Sequence, residues 1–111
     1  MAVVDTDTGR EVTLLPIGKG NDAVAFDPTR RRVFAANGRD GTVSIYQQLD
    51  PDHYDLIETL PTAVSGRTLD VDPASGRLFV AAAKVEPNTP AGQRPKAVPG
   101  SLALLMFDPV R

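Results

Sequence analysis

AVAFDPTRRRVFAAN, residues 23–37, is the stretch that decides the fold, because TLDVDPASGRLFVAA, residues 68–82, repeats it. Asp27-Pro28 stands against Asp72-Pro73, Arg32 against Arg77, Phe34 against Phe79 and Ala36 against Ala81, at a constant offset of 45 residues. Each copy reads as a short apolar run, an Asp-Pro dipeptide, a polar turn and a second apolar run. Proline presets φ at the second position of a turn and aspartate accepts local backbone hydrogen bonds, so the dipeptide marks a tight turn between two antiparallel strands.

Working outward in this register, Ala23–Asp27 is an innermost strand and Arg32–Asn37 the second. A GRDG turn leads to a third strand, Thr42–Gln47, and a loop, Leu49–His53, leads to an outer one, Tyr54–Leu60. Upstream, Val3–Asp5 and Val12–Ile17 read as the third and outer strands of a preceding unit, joined by the turn DTDTG. Downstream, Thr68–Val71, Leu78–Ala83 and Leu102–Phe107 supply three strands of a following unit. A period of about 40–50 residues built from short strands predicts a β-propeller, in which each four-stranded blade buries its faces only against neighbouring blades.

The expected fold is all-β: a partial β-propeller of about two and a quarter four-stranded antiparallel blades, counted as two strands, four and three. Residues 1–18 form the outer half of one blade, 19–62 a complete blade, and 63–111 a three-stranded last blade carrying a Pro-rich insertion at 84–99. Beginning in mid-motif and ending one strand short, the chain reads as a fragment. Open faces and edges call for partners, either the remaining blades or further copies of the chain.

Composition narrows the functional classes. The 111 residues carry 12 Lys and Arg against 14 Asp and Glu, a net charge of -2, with 5% aromatic residues. Single-strand nucleic-acid binders need a positive groove with stacking rings, so nucleic acid is not expected as a partner. Arg30-Arg31-Arg32 is a short cluster that reads as a solvated hairpin turn. Cysteine is absent, which excludes disulfides and thiolate chemistry and leaves the compartment unread. No apolar run approaches the roughly 18 residues of a membrane-spanning helix, and MAVVDTDTGREV lacks the pattern of a secretory signal.

LLPIGKGNDAVAFDPTRRRVFAANGRDGTVSIYQ resembles a YVTN-type repeat, and GRTLDVDPASGRLFVAAAKV with its Pro-rich excursion and PGSLALLMF is similar to the last blade of bacterial YncE-like propellers. The resemblance covers essentially the whole chain, and the Pro-rich insertion between second and third strands is its most specific element. It implies a seven-bladed parent about three times longer, usually exported to the periplasm or secreted. It also implies that ligands sit near the axis, on loops entering the innermost strands and on loops joining second to third strands.

Here those loops are Gly18–Asp22, Ser65–Arg67, Asn37–Asp40 and Lys84–Pro99. The resemblance thus nominates Asp22, Asn37, Arg67 and Lys84 as ligand-binding residues. Asp22 and Arg67 occupy matching places, 45 residues apart. They read either as polar contacts to a ligand or, more plainly, as an ion pair between blades. Asn37 before Gly38 reads foremost as a left-handed turn residue. His53, the single histidine, reads as a solvated loop residue, and one histidine cannot build a His-rich metal site. DTDTG lacks the downstream ligands of a calcium loop and reads as a β-turn.

No nucleophile elbow, zinc helix, phosphate loop or dinucleotide fingerprint is present. No catalytic residue, metal site or cofactor is therefore expected. The leading expectation is a non-enzymatic binding or scaffold module for a small ligand or a protein. The alternative is part of a lactonase-like propeller hydrolase whose site needs further blades.

Overall fold

Apolar residues recur at every second position in short runs separated by Asp, Gly and Pro, and in the computed structural model these runs form nine strands among the described residues. The structure describes residues 1–110. The strands are β1 (Ala2–Val4), β2 (Glu11–Leu14), β3 (Asn21–Asp27), β4 (Arg32–Asn37), β5 (Thr42–Asp50), β6 (His53–Pro61), β7 (Thr68–Val71), β8 (Leu78–Ala82) and β9 (Ala103–Phe107). They make three antiparallel sheets: sheet 1 is β1-β2, sheet 2 is β3-β4-β5-β6 and sheet 3 is β7-β8-β9. The fold is all-β, in the expected grouping of two, four and three strands. Among the described residues no helix is long and apolar enough to cross a membrane.

Several strand limits shift. β5 runs on to Asp50 and β6 starts at His53, so the expected loop Leu49–His53 contracts to a turn at Pro51-Asp52. The Asp50 carboxylate closes that turn by accepting the Asp52 N–H at 2.8 Å and facing the His53 ring at 2.8 Å. Sheet 1 shifts the other way: β2 stops at Leu14 instead of reaching Ile17.

The core lies between sheets 2 and 3. Phe34, Val43 and Ile45 of sheet 2 meet Val71, Leu78 and Val80 of sheet 3. Cross-strand partners fix which side chains share that face: Phe34 stands opposite Ile45 and Ala36 opposite Val43, so all four point the same way. The reverse face of sheet 2 carries Val33, Ala35 and Tyr46 and looks toward sheet 1. There the Tyr46 hydroxyl donates to the Pro16 carbonyl, and burial pushes the Tyr46 pKa up.

The 45-residue offset also holds in three dimensions. A register shift interrupts β1-β2 beside Val12 and β5-β6 beside Ile57, so one β-bulge occurs twice at that spacing. Asp5, Asp27 and Asp72 each accept the N–H two residues on, from Asp7, Thr29 and Ala74. Four residues beyond each aspartate the backbone turns left-handed: Gly9 at φ 73°, Arg31 at 54° and Gly76 at 76°. Two of the three positions use glycine; Arg31 takes the strained conformation with a side chain attached.

The arginine triplet is only partly solvated, which corrects the expectation. Arg31 is exposed, but Arg30 is half-buried and reaches the next sheet's turn, donating to the Pro73 carbonyl at 3.2 Å. Arg32 is half-buried beside Gln47, to which its Nε donates at 3.3 Å. Asp27 is fully buried and accepts the Thr29 and Arg30 N–H groups as well as the Arg30 guanidinium. One repeat is thereby tied to the next through a charged turn as well as through apolar faces.

Candidate functional site

The loops before β3 and β7, the loop after β4 and the Pro-rich segment meet around a cleft of about 820 Å³. Backbone bonds lock three of these loops together. Gly38 N–H donates to the Gly20 carbonyl at 2.9 Å, and the Gly38 carbonyl accepts the Ser65 N–H at 2.8 Å. Asp40 accepts the Lys19 N–H at 2.9 Å. Ser65 is left-handed at φ 78°, where the matching residue of the previous repeat is Gly20 at φ 73°. Its hydroxyl donates to the Ala83 carbonyl at 2.6 Å and accepts the Ala83 N–H at 3.1 Å, which holds the strained residue in place.

Four charged side chains line the cleft: Asp22, Arg39, Arg67 and Arg94. Arg67 Nε lies 3.5 Å from Asp22 Oδ2, with side-chain exposures of 41% and 54%. A pair this open to solvent contributes about 0–1 kcal/mol, so it orients two side chains more than it stabilises the fold. Two glycines make room for the arginines. A Cβ on Gly38 would stand 2.7 Å from Arg67 Cγ, and one on Gly20 would stand 2.6 Å from Arg39 Cβ. Only a glycine at each place lets the arginine stem lie across the neighbouring loop.

Asp22 and Arg67 are thus brought together; Asn37 and Lys84 are placed elsewhere. Asn37 is fully buried and is absent from the cleft wall. Its amide donates to Ser44 Oγ at 2.9 Å and to Thr42 Oγ1 at 3.3 Å, leaving Oδ1 without a hydrogen-bond partner among the described residues. Nor does Asn37 supply the left-handed turn residue; that conformation falls on Gly41 at φ 69°, whose N–H donates to the Asn37 carbonyl. The hydroxyls two strand positions apart on β5 draw the amide inward. Lys84 is exposed, its backbone bound to Ser101 and Val98, and its side chain does not line the cleft.

The sequence does not nominate Arg39 as a ligand-binding residue, and it marks Arg94 only as part of a Pro-rich segment that reads either as a recognition element or as a spacer. Both lie inside loops it had singled out, but loop arginines carry no periodic signal, and which loops meet depends on how the sheets stack. His53 sits at the far end of sheet 2 as the first residue of β6, exposed, with its pKa raised by the hydrogen bond to Asp50 and by the charge of that carboxylate. Among the described residues no group of three or more His, Cys, Asp or Glu is placed to hold a metal ion.

A second, more apolar groove of about 390 Å³ runs along the outer ends of sheets 2 and 3, between Ile57 and Leu60 of β6 and Phe107 of β9. It lies beside β9, the edge strand of sheet 3, where a fourth strand would continue the order seen in sheet 2. No family model matches the chain, and no match is found among curated proteins or solved structures.

Proposed function

We propose that this chain is a unit of a non-enzymatic binding or scaffold module, built as β-propeller blades of the YVTN-repeat, YncE-like kind, with the loop cleft as its ligand site. The observation that carries this reading is the convergence on one cleft of the loops preceding β3 and β7 with the loops following β4 and β8. Such loops lie at one end of stacked sheets, where propellers commonly present their binding surfaces. Their hydrogen bonds to one another and the glycine seats beneath Arg39 and Arg67 preorganise the site.

The uncovered faces support the repeat-unit part of the proposal. Leu102, Leu104 and Met106 are 77%, 56% and 58% exposed at one end, and Leu14 is 65% exposed at the other. These faces take further sheets, supplied by additional blades or by further copies of the chain.

The test is a nuclear magnetic resonance screen of small polar ligands against the labelled chain, with lactone hydrolysis assayed in parallel. Binding is expected to shift the amides of residues 20–22, 38–39 and 65–68, and Gly38→Ala is expected to abolish those shifts by displacing Arg67. Ligand-induced shifts confined to the rest of the molecule would remove the cleft from consideration. Turnover of a lactone would overturn the non-enzymatic reading.

A further inference from the structure

We infer that the cleft selects a small anion, a molecule whose carboxylate or phosphate groups are held by Arg39, Arg67 and Arg94. This deepens the reading of the cleft as the binding site and rests on it. The lining includes three arginines against one aspartate, although the chain as a whole is net negative at -2. Local charge is thus opposite in sign to the molecule's own balance, which marks the cleft as the place where an anion is attracted.

The three arginines differ in availability. Arg67 is shared with Asp22 across a long contact of 3.5 Å. Arg39 and Arg94 make no side-chain hydrogen bond or ion pair among the described residues, and both are exposed. They hold unused, fixed-charge donors on two different segments of the lining, Arg39 on the loop after β4 and Arg94 on the Pro-rich segment. Guanidinium groups bind carboxylate and phosphate oxygens through paired N–H donors, and that is the chemistry these two positions offer.

Asp22 sets the limit on affinity. It repels an anion and competes for Arg67, so removing its charge frees a third donor. A volume of about 820 Å³ suits a small molecule.

The experiment is calorimetric titration of the intact chain with three probes: succinate, inorganic phosphate and succinamide, the uncharged counterpart of succinate. Succinate or phosphate is expected to bind, more weakly at high salt, and the preferred one identifies whether carboxylate or phosphate is the natural group. Arg39→Gln and Arg94→Gln are each expected to weaken binding about tenfold, the scale of one charge-assisted hydrogen bond. Asp22→Asn is expected to tighten it several-fold, a gain that a merely structural role could not produce.

Arg10→Gln, in the β1-β2 turn, is the control and should change nothing. Failure of both anions to bind overturns the inference, as does equal loss in the Arg10 variant. Succinamide binding as tightly as succinate, with shifts at the cleft, would overturn the anion class while leaving the binding reading intact. Circular dichroism of each variant shows that these exposed substitutions keep the fold, and Asp22→Asn supplies an independent sign if one arginine variant does not.

Discussion

Ile45 in sheet 2 and Met106 in sheet 3 occupy corresponding places, opposite Phe34 and Phe79 in the same ladder, yet they are 9% and 58% exposed. Val43 and Leu104 form a second such pair, at 0% and 56%. The side chains at these positions are equally apolar in both sheets. What differs is that sheet 3 seats its Leu78 and Val80 on the first face, while among the described residues no sheet covers the second. An apolar face in a repeat is therefore a property of the position, and its burial is a property of the neighbour.

The largest expected effect separates these two positions. Ile45→Ala removes a buried side chain between sheets and should cost about 2–4 kcal/mol in urea denaturation. Met106→Ala should change stability by under about 0.5 kcal/mol, as for an ordinary surface site. A Met106 loss comparable to that at Ile45 would mean that sheet 3 is covered in solution. Light scattering on the same samples then shows whether a second copy is the cover.

The next contrast is between the two Asp-Pro turns. Asp27 is fully buried and accepts two backbone N–H groups and the Arg30 guanidinium, so Asp27→Ala should cost about 1–3 kcal/mol. Asp72 makes a similar turn in the open, where Ser75 and Ala74 hold its carboxyl below the usual range. Asp72→Ala should therefore cost clearly less. Equal losses would show that the contribution comes from the turn alone and not from the bridge that Arg30 makes to the next sheet.

Much of the architecture was legible in the sequence because strand alternation and Asp-Pro turns are local, and because the repeat supplies each strand with a second reading. The grouping of two, four and three strands follows from them. Pairing that depends on distant contacts was not legible. Asn37 reads as a turn residue until β5 sets Thr42 and Ser44 beside it. Arg30 reads as a solvated charge until sheet 3 brings the Pro73 carbonyl within reach. In the cleft, matched positions point to Asp22 and Arg67, whereas Arg39 and Arg94 gain significance only when their loops line the same cleft.

A smaller effect tests the paired left-handed positions. Arg31 corresponds to Gly76, and among the described residues no side-chain bond offsets its strain at φ 54°. Arg31→Gly should stabilise by about 0.5–1 kcal/mol, the relief of a left-handed L-residue less the added freedom of glycine in the unfolded chain. Ser65 corresponds to Gly20, but its hydroxyl bonds to Ala83 compensate. Ser65→Gly should give no such gain. If both substitutions stabilise equally, the hydroxyl contributes nothing to the rim of the cleft.

The smallest effect concerns pH, and it differs in sign between the two sheets. Each holds an outer end with an exposed ion pair, His53 with Asp50 in sheet 2 and Arg77 with Asp108 in sheet 3. The Asp50 partner raises the His53 pKa above its ordinary 6.5. Stability from that histidine is fully present below the unfolded value and is lost as pH rises through the folded one. Arg77 lowers the Asp108 pKa below its ordinary 3.8, so that contribution is present above the unfolded value and is lost as pH falls through the folded one. Thermal denaturation of His53→Gln against the parent chain should show a small deficit at mildly acidic pH that vanishes on the alkaline side of the histidine's titration. Asp108→Asn should show its deficit at neutral pH and lose it in acid. Profiles that moved together would mean that the two edges are not held independently, and that loosening one sheet loosens the other through the core they share.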